Sequence, residues 1–96
     1  MRTTQQKLLE KFEVIAETYG CELIVDKKWG NTGTARFQKV WEFKPVYTIG
    51  FDFQDHYLRL CPNNSAWTSF EYDRLDEVIE LVTDSVKREA AKHVPA

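Results

Sequence analysis

The stretch from Phe37 to Phe53 alternates between large apolar residues and polar ones with a period of two. The large apolar residues all take odd numbers, and they are Phe37, Trp41, Phe43, Tyr47, Ile49, Phe51 and Phe53. Even positions in and beside the stretch are mainly polar, among them Arg36, Gln38, Glu42, Thr48, Asp52 and Gln54. Successive side chains of a strand point to opposite faces, so the pattern predicts strands with one buried and one wet face. It restricts the chain to folds built around an antiparallel sheet.

A helix is predicted on either side of this sheet. Near the N-terminus, Thr3 and Gln6 fit a capping box, and Gly20 is placed to end the helix. Near the C-terminus, Asp73 is a suitable N-cap for a second helix. Both helices carry one apolar stripe at helical spacing, formed by Leu8, Phe12, Ile15 and Tyr19 in the first and by Leu75, Val78, Ile79, Val82 and Val86 in the second.

The strands and helices together predict a two-layer α+β sandwich. Four strands are expected, at Cys21–Lys28, Ala35–Phe43, Tyr47–Gln54 and Tyr57–Cys61. Ala66–Tyr72 is either a short fifth strand or an irregular approach to the last helix. Because both helices and the sheet have one apolar face each, both helices should pack on the aromatic face, in the order α-β-β-β-β-(β)-α. We expect a single domain over residues 1–96, frayed at 1–3 and 92–96.

The two loops inside the sheet predict its register. A three-residue loop, Lys44-Pro45-Val46, would place Phe37 opposite Phe53, and a two-residue turn, Asp55-His56, would place Leu58 opposite Phe53. Directly opposed residues share a face, so the aromatic face would stay apolar across three strands. On the reverse face this register predicts three rows, namely Gln38, Asp52 and Arg59; Arg36, Gln54 and Tyr57; and Val40, Gly50 and Cys61.

Net charge and cysteine usage narrow the class of partner. The formal net charge is −2, whereas an electrostatically driven nucleic-acid binder normally carries a basic surplus, so nucleic acid is disfavoured. The N-terminus has no apolar core of a secretory signal, and no apolar run reaches the roughly 20 residues of a membrane span. Cys21 and Cys61 are most simply buried thiols in a reducing compartment. We therefore expect a cytoplasmic protein without a membrane partner.

The residues of enzyme active sites are scarce in this sequence. The only histidines are His56 and His93, and no Cys-x-x-Cys pair exists, so metal-ligand spacing is missing. His56 suits a tight turn, where histidine tolerates the backbone that is required. We expect no catalytic residues, no metal and no cofactor.

The reverse face of the sheet is the first candidate binding surface. It should present Arg36, Gln38, Gly50, Asp52, Tyr57 and Arg59. Gly50 would leave a shallow dip because it has no side chain, and Asp52 could pair with Arg59 across strands. An exposed aromatic beside basic residues can stack on bases, although an ordinary polar face with one ion pair is the simpler interpretation.

Trp29 and Trp67 are the second candidate, as aromatic anchors. Both lie beside turns, where a tryptophan either plugs the edge of the core or stands exposed to a partner; the core plug is the favoured interpretation.

Lys39 is the one misfit on the aromatic face. It lies at the sheet margin and snorkels, or a bulge turns it outward, or it is a buried functional lysine.

An acidic strip on the last helix is the third candidate. Asp73, Glu77, Glu80 and Asp84 recur at helical spacing opposite the apolar stripe. A solvated face is the default interpretation, and docking of a basic partner is the alternative.

These features predict a small non-enzymatic domain that binds a protein partner. It would act as an adaptor, an inhibitor or a regulatory subunit, such as a phage or mobile-element accessory protein that inhibits host defence; this last point is analogy. The alternative is a binder of RNA or single-stranded nucleic acid that uses the open sheet face. An edge strand could also pair two copies as a homodimer, and the sequence does not say which edge is uncovered.

Overall fold

The computed structural model describes residues 4–29, 31–39, 45–63 and 65–92, without the side chains of residues 27–29. Its elements follow the chain in this order: α1 (Thr4–Thr18), β1 (Cys21–Trp29), β2 (Thr32–Lys39), β3 (Pro45–Phe53), β4 (Tyr57–Pro62), β5 (Thr68–Glu71), a 3₁₀ turn (Tyr72–Arg74) and α2 (Leu75–Lys92). The strands form one antiparallel sheet in the order β1-β2-β3-β4-β5. The predicted α+β sandwich is confirmed, and the fifth strand exists.

The aromatic face of the sheet is the core, as the alternation predicts. Phe37, Ile49 and Phe51 are fully buried, while Trp41 and Phe43 lie outside the described residues. Both helices pack on this face. The rings of Phe12 on α1 and Phe37 on β2 meet edge to face, with centroids 5.9 Å apart. The buried stripe of α2 consists of Val78, Val82, Val86 and Ala90.

The predicted register is right for β3 and β4 but wrong for β2 and β3. Leu58 does lie opposite Phe53, because the turn between those strands is short. Phe37, however, lies opposite Tyr47 and not opposite Phe53, since β2 ends at Lys39 and the connection to β3 is longer than three residues. From Thr32 to Phe37 the displacement is six residues, an even number, so these side chains keep their predicted face while their neighbours across the strands change. After Phe37 the register shifts by one more residue, and Gln38 lies opposite Pro45.

Gly20 and Lys39 together end α1. Gly20 has φ +71°, the left-handed conformation that glycine adopts at little cost after a helix. The Lys39 side chain is only 8% exposed, and its Nζ donates a hydrogen bond to the carbonyl oxygen of Tyr19 at 2.7 Å. Lys39 therefore lies at the sheet margin on the core face, and the bulge that begins after Phe37 does not turn it outward.

The start of the second helix differs from the prediction. Asp73 lies inside the 3₁₀ turn, and α2 begins at Leu75. The expected cap by Asp73 is therefore wrong. The residue before the turn is Glu71, whose side chain makes no capping hydrogen bond.

Neither helix within the described ranges is long and apolar enough to cross a lipid bilayer.

Candidate functional site

The face of the sheet that carries no helix presents the predicted polar residues, but in two groups. Gly50, Asp52 and Arg59 are neighbours, since Asp52 lies opposite Arg59 and Gly50 opposite Cys61. Arg36 and Gln38 lie further along the sheet, opposite Thr48 and Pro45. The predicted rows that joined Gln38 to Asp52 and Arg36 to Gln54 are therefore wrong, because they depended on the three-residue loop.

A hollow of about 240 Å³ lies over Gly50. Its floor is the glycine itself, since a strand position without a side chain leaves room above the sheet. Its walls come from β2, from β3 and β4, and from the segment before β5. We call this site the Trp67 surface, and its side chains and floor are Thr32, Thr34, Gly50, Asp52, Arg59 and Trp67.

Trp67 is an exposed wall of this hollow and not part of the core. Its side chain is 48% exposed, so the interpretation as a core plug is wrong for this residue. The edge of its indole approaches the floor so closely that a Cβ added at Gly50 would lie 3.3 Å from Cη2 of the ring. The glycine therefore makes room for the indole, which rests on the sheet.

Arg59 joins the indole to the carboxylate of Asp52. Its guanidinium carbon lies 5.2 Å from the centroid of the Trp67 ring, a cation–π distance. Its Nη1 lies 3.7 Å from Oδ2 of Asp52, which confirms the predicted cross-strand pair. The nearly buried Asp52 also accepts a 2.6 Å hydrogen bond from Nε2 of Gln54. These contacts hold the polar end of the hollow in one arrangement.

The other predicted arginine of this face also has a carboxylate beside it. Nη2 of Arg36 lies 3.3 Å from Oδ2 of Asp26 on β1. Arg36 and Arg59, the two arginines of the described open face, are thus both compensated by a negative charge. A phosphate would have to compete with those carboxylates.

Tyr57 stands in a second hollow, of about 440 Å³, beside the first. It is exposed and lies opposite Glu71 of β5, while Ser69 of the same strand lies opposite Arg59. Arg74 closes this hollow, with its guanidinium 5.7 Å from the ring of Phe70. A 2.6 Å ion pair with Glu77 raises the pKa of Arg74 above its usual value, so the guanidinium is held charged.

The remaining candidate residues either lie away from the Trp67 surface or have side chains that the structure does not describe. Trp29 ends β1, but its side chain is not among the described ones. Glu77, Glu80 and Asp84 are exposed on α2, which packs on the opposite side of the sheet from the Trp67 surface. Asp73, in the preceding turn, is exposed as well. The structure therefore does not bring the acidic strip to the Trp67 surface.

Thr32 and Thr34 are site residues that sequence reasoning missed. The predicted second strand began at Ala35, so both threonines lay before it, whereas they lie on β2 opposite Asp52 and Gly50. The repeated Thr-x-Thr pattern at 32–34 was the available signal, because threonine favours strands and alternation would extend β2 in that direction.

The side-chain groups of the Trp67 surface are varied in chemistry. Its groups are an indole, a guanidinium, a carboxylate and two hydroxyls. Cys61 lies beside it, half-buried, with its Sγ donating to the carbonyl oxygen of Ser65 at 2.8 Å. Over the described ranges, histidine, cysteine and carboxylate side chains form no group of three that could hold a metal ion.

Comparisons with protein-family models, with curated proteins and with solved structures found no match to this chain, so its function has to be inferred from the geometry of this surface.

Proposed function

We propose that this chain is a non-enzymatic domain that binds a protein partner through the Trp67 surface. The observation that supports it is the half-exposed indole of Trp67, which rests on Gly50 and carries the guanidinium of Arg59. A large apolar group that stays in water after folding is a ready source of binding free energy, because a partner can bury it.

The composition and rigidity of the surface favour a protein. Tryptophan, tyrosine and arginine are the residues enriched at the centres of protein interfaces. Trp67 and Arg59 line one hollow here, and the exposed Tyr57, two residues from Arg59 on β4, lines the other. Arg59 and the indole order each other, and both rest on a hydrogen-bonded sheet. Little side-chain entropy would then be lost on binding.

The charges argue against the nucleic-acid alternative. Binding to phosphates draws its free energy from arginine and lysine that can release counterions. Arg36 is already paired with Asp26, and Arg59 with Asp52. The formal net charge of −2 adds a weak repulsion. We therefore keep the role of adaptor, inhibitor or regulatory subunit, in the cytoplasm, where Cys21 and Cys61 would remain the free thiols that they are here.

The test compares two truncations of exposed apolar residues. Trp67→Ala removes the wall of the hollow, while Val14→Ala trims a 59% exposed residue of α1, away from the open face. Proteins retained from source-cell extract by the wild-type chain would be purified, and their affinity for the three forms measured by calorimetry. We expect Trp67→Ala to weaken binding about 30-fold or more, because truncation of a hot-spot residue costs about 2 kcal/mol or more. Val14→Ala should leave the affinity unchanged.

Two results would contradict the proposal. One is a purified partner that binds the Trp67→Ala variant as tightly as the wild type. The other is tight binding of single-stranded RNA that weakens steeply with salt and with Arg59→Ala, since that would assign the same surface to nucleic acid.

A further inference from the structure

The sheet has one long edge that no described strand covers, and this edge is β1. In the described sheet β1 pairs with β2 on one side and with no strand on the other. Its residues 21–26 face β2 in a regular register, before the shift that follows Lys27. The strand at the opposite edge, β5, has four residues, so β1 is the edge with more room for an added strand.

The outer backbone of this edge makes no hydrogen bonds within the chain. Every second residue of an antiparallel edge strand directs its N–H and C=O groups away from its one partner strand. Among the described residues, no hydrogen bond from a turn, a loop or a side chain reaches the backbone of residues 22–26. These donors and acceptors can therefore pair with the backbone of an extended segment.

A groove of about 420 Å³ runs along the same edge, between α1 and the first residues of β1. Leu23, which packs on the helix side of the sheet, and Ile24, on the open side, both line it. Both residues are only partly buried. A strand laid beside β1 would cover them, so its gain would include apolar burial in addition to hydrogen bonds.

The charge of this groove is negative. Glu13 and Glu17 of α1 line it together with Glu22 of β1, and all three residues are exposed. Within the described part of the chain none of these carboxylates has an ion-pair partner, whereas Asp26 on the same strand is paired with Arg36. A strand that occupies this edge therefore meets uncompensated negative charge, which lysine or arginine side chains would neutralise.

We propose that residues 21–26 of β1 bind an extended, lysine- or arginine-rich segment of another protein, which joins the sheet as a sixth strand. The unpaired backbone provides hydrogen bonds for any extended chain, and the carboxylates select a basic one. On the helix side, a basic side chain of that segment lays its aliphatic stem beside Leu23 and carries its charge to Glu13 and Glu17. The groove shares no residue with the Trp67 surface, so the two sites are separate.

The probe is a synthetic peptide of about seven residues that alternates lysine with valine, long enough to pair with residues 21–26. Its binding to the full chain is measured by fluorescence anisotropy. We expect the double variant Glu13→Gln/Glu17→Gln to bind it about five- to tenfold more weakly, since two solvent-exposed charge pairs are lost. Glu80→Gln/Asp84→Asn is the matched control, because it removes the same charge from the exposed side of α2 and should leave the affinity unchanged. Far-UV circular dichroism verifies the fold of each variant.

Two N-methylated forms of the peptide test the backbone pairing separately. One carries the methyl groups on the backbone nitrogens of its lysines, and the other on those of its valines. Only one of these two sets of N–H groups can face β1 in a strand. We therefore expect one form to bind about tenfold more weakly than the parent peptide or worse, and the other to keep its affinity. In the protein, alternate amides between residues 22 and 26 should exchange more slowly with solvent once the peptide is bound, as measured by NMR.

Several results would overturn the proposal. One is the absence of binding at millimolar peptide, and another is equal binding of a peptide that alternates glutamate with valine. Equal affinity of the two N-methylated forms would show that the positive charge alone is recognised. A chain that dimerises through β1 and excludes the peptide would assign the edge to a second copy. Trp67→Ala should bind the peptide as the wild type does, so failure here is distinguishable from failure of the Trp67 surface.

Discussion

Lys39 is a charged residue at a position where the alternation predicts an apolar one, and the folded chain accommodates it. Its odd number assigns it to the aromatic face, where an ammonium group has no apparent partner. In the folded chain that position coincides with the C-terminus of α1, whose carbonyl groups carry a partial negative charge. The Nζ donates to the oxygen of Tyr19 at 2.7 Å. Sequence reasoning could not choose this outcome, because the acceptor lies 20 residues away along the chain.

We expect Lys39→Met to destabilise the fold by about 1.5–3 kcal/mol, the usual worth of a hydrogen bond to a charged group. Methionine keeps most of the aliphatic stem, so the loss reports mainly on the ammonium group. Urea denaturation would measure the free energy of unfolding. Lys92→Met is the control, since Lys92 is exposed on α2 and pairs with Glu89 of its own helix; its effect should stay below about 0.5 kcal/mol. Equal effects of the two substitutions would contradict a capping role for Lys39.

The helices and strands could be predicted where the sequence pattern that indicates them lies within a few neighbouring residues. The helical stripes, the alternation and the Asp55-His56 turn depend on residues close in sequence, and they gave both helices, the sheet faces and the pairing of β3 with β4. The pairing of β2 with β3 depends on the length of a longer connection, which no local pattern reports. That is why Gln38 was placed beside Asp52, where Thr32 in fact lies.

The stripe of α2 yields a prediction from two adjacent residues. Val82 is fully buried against the sheet, while Leu81 is 40% exposed on the other side of the helix. We expect Val82→Ala to lower the free energy of unfolding by about 1.5–3 kcal/mol, through lost burial and the cavity left behind. Leu81→Ala should cost less than about 1 kcal/mol, although it removes more atoms. Thermal or urea denaturation of both variants checks this, and a larger loss for Leu81→Ala would mean that α2 is rotated from the orientation described.

At the scale of the whole molecule, Trp67 lies on the open face because the other face of the sheet is already filled. The helix-facing side of the sheet is already filled by Phe12, Phe37, Phe51 and the valines of α2. The segment that carries Trp67 leaves β4 at its end, where the open face offers room above Gly50. Sequence reasoning predicted the dip at Gly50 but not the indole that walls it, because the segment before β5 has no periodicity to assign it a face.

One core shared by both helices and the sheet predicts cooperative unfolding. The buried residues form a single cluster that includes residues of α1, of α2 and of β1 to β4. We therefore expect the urea transitions followed by helical circular dichroism and by tryptophan fluorescence to coincide. A fluorescence transition that precedes the loss of helix would show that the surroundings of the tryptophans unfold separately from the helices.

β3 separates the core from the Trp67 surface, so changes within this one strand bear on both. Ile49, Phe51 and Phe53 fill one side of the strand, while Gly50 and Asp52 build the other. A one-residue insertion within β3 would exchange the two sides at once and ruin both. Substitutions at Gly50 and Asp52 change only that other side. A lineage with this fold can therefore remodel the Trp67 surface by point substitutions while Ile49, Phe51 and Phe53, which fill the core, are inherited intact.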